Sequence, residues 1–185
     1  MDDKKVKGSM LIDFVRMIRS FKNLDWNKYL KPEDWEIINS IVLAAKWYPL
    51  DTYARCSNAA FQLLAKGSLD GARANGQRMA KQLFETTYKS MVQGKDPAQD
   101  LRQFVSTYGT FFNFSLLKFE SVGPKHVKIH HDYDTQDKGN VPYCHQMMGL
   151  FETLVQMTGG KNGKVELSAK QWERAPMTTF NITWE

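Results

Sequence analysis

The feature that most limits what this chain can fold into is the order of elements over residues 115–184. Two strand pairs flank one long helical segment. The first pair is Ser115–Glu120 and Lys125–Tyr133, hinged at Val122-Gly123-Pro124. The helix is predicted from Val141 to Thr158, closed by Gly159-Gly160, and the second pair is Lys164–Lys170 with Met177–Trp184. A helix inserted between two hairpins predicts one four-stranded antiparallel sheet (ββαββ) with the helix across a face.

Alternation sorts the strand residues into two faces. One collects Leu117, Phe119, Val127, Ile129, His131, Tyr133, Val165, Leu167, Ala169, Phe180, Ile182 and Trp184. The other holds Lys118, Glu120, His126, Lys128, His130, Asp132, Lys164, Glu166 and Lys170. One buried and one wet face are the normal state of an antiparallel sheet. The intervening helix differs, because Tyr143, Cys144, Met147, Met148, Leu150, Phe151, Leu154, Val155 and Met157 wrap most of its circumference. Such a helix is buried on several sides, between the sheet and the preceding helices or between two subunits.

The residues before the sheet read as five helices. Met10, Leu11, Phe14, Val15, Ile18 and Phe21 follow helical spacing. Pro32 with Glu33 and Asp34 opens a second helix, predicted to carry Trp35, Ile38, Ile41, Val42 and Ala45. Pro49 opens a third, with Tyr53, Cys56, Ala60, Phe61 and Leu64. Gly67 or Ser68 opens a fourth, bearing Leu69, Ala72, Met79, Leu83, Phe84, Tyr88 and Met91. Asp96-Pro97 introduces a fifth, with Leu101, Phe104, Val105, Tyr108, Phe111 and Phe112. Gly71 and Gly76, inside a helical pattern, are read as sites of close helix packing. The fold class is therefore α+β. One domain is expected over 1–185, with a helical bundle subdomain over 1–113 and a ββαββ subdomain over 114–185.

Composition excludes several functions. Basic residues number 25 against 20 acidic, but they are scattered, with no recognition helix or aromatic RNA-binding signature. No nucleic-acid partner is expected. No apolar run approaches the ~18 residues of a membrane span, and the charged start lacks a signal-peptide core, so a cytoplasmic location is expected. Cys56 and Cys144 are the only cysteines and lack CxxC spacing. His126 and His130 share a strand face but lie roughly 13 Å apart at about 3.3 Å per residue, too far for one zinc ion. No metal site is expected. Catalytic motifs are absent, and Cys144 and His145, adjacent on a helix, diverge by about 100°. The chain is read as a non-enzyme.

Helices followed by hairpin, helix and hairpin, over nearly the whole chain, resemble the superfamily of heme-nitric-oxide/oxygen-binding (H-NOX) domains. That group also holds the 4-vinyl-reductase-like ligand-binding domains and the TRAPP trafficking subunits; the chain looks most similar to stand-alone bacterial members. Trp47-Tyr48-Pro49-Leu50, Gly67-Ser68-Leu69-Asp70 with Gly76, Leu117–Tyr133 and Phe180-Asn181-Ile182-Thr183-Trp184 carry the resemblance. Heme-binding members hold iron through a histidine on the helix before the first hairpin; Asp100–Phe114 has none. They also carry Tyr-x-Ser-x-Arg for the propionates, where this chain reads Tyr133-Asp134-Thr135-Gln136-Asp137. A carboxylate there repels propionates. The sequence expectation is thus no cofactor, heme included.

Two functions follow from the resemblance. The first is a heme-independent sensor for a small apolar molecule, with Tyr108, Phe111, Phe112, Leu117, His131, Tyr133, Met147 and Phe151 as its ligand-binding residues and a protein partner as its output. Nine methionines with 5 Trp, 7 Tyr and 11 Phe suit an adaptable pocket. The alternative is a homodimerising scaffold with the all-round apolar helix as interface.

Overall fold

The computed structural model describes residues 4–86, 89–92, 96–132 and 141–185. Backbone contacts divide them into two compact units, residues 4–68 with 110–114, and residues 69–109 with 115–185. The second unit therefore joins two of the expected bundle helices to the sheet.

The first unit contains α1 (Gly8–Ser20), α2 (Pro32–Asn39) and α3 (Leu50–Leu63), with two three-residue strands, β1 (Lys5–Lys7) and β2 (Trp47–Pro49). β1 pairs antiparallel with β2, setting Val6 opposite Tyr48. Residues 111–113 join the other edge of β1, where the Lys7 amide donates to the Phe111 carbonyl at 2.8 Å. α1 buries Leu11, Val15 and Ile18, one face of the expected stripe. Asp34 of α2 is fully buried and receives Arg55 Nε and Nη2 at 2.7 Å each and the Lys31 amide at 2.9 Å. Burial alone would raise its pKa; the bonds from Arg55, Lys31 and Thr52 and the Arg55 charge outweigh that and hold it below the ordinary value.

α2 stops six residues earlier than its apolar pattern predicts. Ile41 is 86% exposed and Leu43 58% exposed. The reason is tertiary. Arg19 of α1 donates to the Ile38 and Ser40 carbonyls, which a continued helix would need for residues 42 and 44. Ser40 Oγ bonds the Ile37 carbonyl at 2.9 Å and its backbone is extended.

The second unit holds α4 (Leu69–Glu85), α5 (Pro97–Gly109), α6 (Val141–Met157) and a sheet of β3 (Leu117–Gly123), β4 (His126–His131), β5 (Lys164–Ala169) and β6 (Thr178–Thr183). The order is β3-β4-β6-β5, antiparallel throughout. The two hairpins thus join through β4 and β6, as the fold class predicts. Leu117, Val127, Ile129, His131, Val165, Phe180, Ile182 and Trp184 are buried, matching the alternation; Phe119 and Leu167 are partly exposed. Arg102 of α5 covers the Phe119 ring at 4.7 Å.

α6 packs on α4, α5 and β5, which accounts for its apolar circumference. Where α6 crosses α4 the backbones touch. A Cβ on Gly76 would stand 1.8 Å from the Gln146 carbonyl oxygen, and one on Gly149 would stand 2.0 Å from that of Arg73. Only glycine permits this approach. Arg73 closes the crossing by pairing with Glu152, which also accepts from Gln77 Nε2 at 3.3 Å. Phe84, Phe104, Phe151 and Phe180 continue edge-to-face from α4 to the sheet, with centroids 5.3–6.1 Å apart.

Candidate functional site

One end of the α6–sheet core is polar. The parity of β4 turns His131 inward, and register places it between Leu117 of β3 and Thr178 of β6. It is fully buried, and burial pushes its pKa down to about 3. The imidazole is therefore neutral at pH 7, able both to donate and to accept. The Tyr143 ring lies over it, with centroids 5.1 Å apart and planes at 33°. Tyr143 Oη donates to Tyr108 Oη at 3.1 Å, and Tyr108 stacks on Phe104 at 5.2 Å.

Cys144 follows on α6, fully buried, its thiol pushed up to about 12 by burial although a side-chain bond with Thr178 opposes this. Thr178 Oγ1 accepts the Gln171 amide at 3.1 Å. Gln171 Nε2 donates to the Pro176 carbonyl at 3.2 Å and to Asp132 Oδ1 at 3.4 Å. Gln171 Oε1 is buried without a hydrogen-bond partner among the described residues. The cluster is uncharged at its centre, hydrogen-bonding and walled by aromatics. These side chains set hydrogen-bond donors and acceptors within an apolar surround. The cluster does not suit nucleophilic chemistry, because a thiol at about 12 is not a thiolate at pH 7.

Of the nominated ligand residues, Tyr108, His131 and Phe151 belong to this core. Leu117 is the register neighbour of His131, and Met147 is buried one turn along α6 from Tyr143. Phe111 and Phe112 belong to the first unit, where Phe112 meets Tyr53 and Phe114. Tyr133, and the Tyr133–Asp137 segment weighed for propionates, lie outside the described residues. Two surface hollows, of about 290 Å³ by Trp26 and Trp35 and about 390 Å³ by Arg73 and His145, touch none of the nominated residues. Sequence reasoning missed Tyr143, Cys144, Thr178 and Gln171 as site residues. Thr178 was legible, since it shares the parity of Phe180 and Ile182.

The fold is that of the H-NOX proteins. An Fe(II) unliganded H-NOX protein from K. algicida superposes with a TM-score of 0.65 at 12% identity, covering 97% of this chain and 96% of that one. An H-NOX protein from S. oneidensis in the Fe(II)NO ligation state gives 0.65 at 13% identity, covering 97% and 99%. A structure that probes the function of heme distortion in the H-NOX family gives 0.57 at 12% identity, covering 97% and 95%. Among curated proteins no significant match was found. Residues 39–185 match a family described as protein of unknown function (DUF2378), and the chain belongs to that family.

These neighbours overturn the expectation of a chain without cofactor, because the shared fold is one solved with iron(II) and studied for its heme. The donor atoms here do not reproduce ligation from the helix before the first hairpin: α5 has no histidine. His126 bonds Asn181 at 2.6 Å and His130 bonds Glu120 and Thr179, all on the polar sheet face. His131 is the imidazole enclosed in the core, and His145 lies half-buried beside Arg73. Among the described residues, no three His, Cys, Asp or Glu side chains cluster to hold a metal ion.

Proposed function

We propose that this chain is a non-enzymatic sensor domain that binds a small apolar molecule in the core around His131 and hands the signal to a protein partner. The observation that carries the reading is the neutral, fully buried His131 roofed by Tyr143. A neutral imidazole beside a tyrosine in an aromatic core offers a donor and an acceptor to a ligand with a polar end. The H-NOX fold over 97% of the chain supports the reading. The ligand would order α6 against β4 and β6, because Tyr143 and Cys144 of α6 meet His131 and Thr178 of those strands. α6 is then the element through which occupancy changes the surface.

The test titrates wild type and His131→Leu with two probes, hemin and the apolar fluorophore 8-anilinonaphthalene-1-sulfonate. The reading expects saturable one-to-one binding of at least one probe, weakened about tenfold in His131→Leu, the loss of one buried hydrogen bond. Wild type that binds neither probe, or a variant that binds both as wild type does, would overturn it.

A further inference from the structure

Residues 40–47 of the first unit, Ser-Ile-Val-Leu-Ala-Ala-Lys-Trp, form a fixed loop that holds apolar side chains outward. Arg19 ties its start at the Ile38 and Ser40 carbonyls. The amides of Gly8 and Ser9 take the Lys46 and Ala44 carbonyls at 2.8 and 3.0 Å, and Tyr48 Oη accepts the Leu43 amide at 3.0 Å. The loop lies so close to α1 that a Cβ on Gly8 would stand 2.2 Å from the Leu43 carbonyl oxygen. Yet Ile41 is 86% exposed, Leu43 58% and Trp47 39%. Scattered exposed apolar residues are ordinary; three within seven positions on a pinned backbone are a patch.

Cations surround it. Lys7, the register partner of Trp47, places its ammonium 5.5 Å from the Trp47 ring, and the Lys46 ammonium is 5.7 Å from the Tyr48 ring. Neither lysine has a carboxylate partner among the described residues. We propose that this loop docks the protein on an anionic lipid surface, with Ile41 and Leu43 entering the acyl boundary, Trp47 at headgroup level, and Lys7 and Lys46 on the lipid charges. The exposed area of Ile41, Leu43 and Trp47, roughly 400 Å², is small, and in a pair of copies the Lys7 and Lys46 charges would meet like charges rather than anions. That area is enough for interfacial anchoring, in which shallow burial of apolar side chains and attraction of lysines to anionic lipid act together. Interfacial anchors of this kind combine Trp and aliphatic tips with flanking lysines. Among the described residues no helix is long and apolar enough to cross a membrane, and the contact proposed is interfacial.

The experiment is co-sedimentation with vesicles of phosphatidylcholine alone and of phosphatidylcholine with one-third phosphatidylglycerol. Wild type sediments with the anionic vesicles, less so as salt rises. The double variant Ile41→Ser/Leu43→Ser, checked by its thermal melt, loses at least about tenfold in partitioning. Lys7→Glu/Lys46→Glu, which leaves the apolar tips in place, loses the preference for anionic vesicles. Wild type that stays in the supernatant with both vesicles overturns the proposal. So does an Ile41→Ser/Leu43→Ser variant that sediments like wild type. Self-association in vesicle-free solution, abolished by the same variant, would assign the patch to a second copy of the chain and also overturn it.

Discussion

Replacing Gly149 by alanine tests the helix crossing on which the core depends. On an exposed helix the change stabilises, by about 1 kcal/mol. Here the added Cβ would lie 2.0 Å from the Arg73 oxygen, 2.9 Å from its carbonyl carbon and 3.1 Å from the Gln77 nitrogen, all backbone atoms of α4. No rotamer change relieves that. Restoring an ordinary 3.4 Å contact to the oxygen requires α4 and α6 to part by about 1.4 Å, and a gap of 0.5–1 Å already forfeits a quarter to a half of each contact's attraction. Strain and lost packing of this kind cost about 1–3 kcal/mol or more, and the Arg73–Glu152 pair is pulled apart as well. A net loss of about 3 kcal/mol lowers the melting temperature by roughly 6–12 °C for a chain of this size. Thermal unfolding followed by circular dichroism reads it, with any loss confined to the transition of the second unit if the two units melt separately. Gly76→Ala meets the Gln146 backbone in the same crossing, so the double variant should cost less than the two single losses added. A Gly149→Ala protein as stable as wild type, or more so, would refute the reasoning.

Four further outcomes are expected. Asp100 is buried and its pKa raised to about 6, by burial first and by Asp96 second; its charge therefore destabilises the fold above pH 6 and not below pH 4. Asp100→Asn should stabilise at pH 8 by about 3 kcal/mol, with the gain gone by pH 4 in urea titrations. His131 has a lowered pKa, so its stabilising contribution is full above its unfolded value of 6.5 and is lost as pH falls toward 3, by about 1.4 kcal/mol per pH unit; His131→Leu should flatten that slope. Asp34→Ala leaves Arg55 without its buried partner and should cost about 3 kcal/mol at pH 7. Cys56 and Cys144, both buried with pKa about 12, should react with Ellman's reagent only after denaturant is added.

The sheet was readable because alternation is local: from Val127 to Trp184 parity names most of the inward residues, with Leu167 and Ala169 left partly exposed at the register shift of β5. α6 was readable for the same reason, its all-round apolarity requiring cover on several sides. What sequence order hides is partnership. α4 and α5 precede the sheet and read as part of a bundle over 1–113, yet their apolar faces meet α6 and β3. α2 ends at Asn39 because Arg19, two elements away, takes its last carbonyls, and no periodicity in 32–45 records that. Strands as short as β1 and β2 carry too few residues for alternation to show. Among the site residues, His131 stood out as a polar residue at an apolar position and Thr178 shared the parity of Phe180 and Ile182, whereas Cys144 was hidden by looking like ordinary core. The no-cofactor expectation rested on two local motifs, and the solved neighbours overturned it through the fold as a whole.

Native mass spectrometry of the protein as purified, wild type beside His131→Leu, tests the central claim most directly. The account predicts a retained small molecule, or uptake of one hemin per chain when hemin is supplied, with either one diminished in the variant. A wild-type protein that is ligand-free as purified and takes up neither hemin nor 8-anilinonaphthalene-1-sulfonate would contradict it.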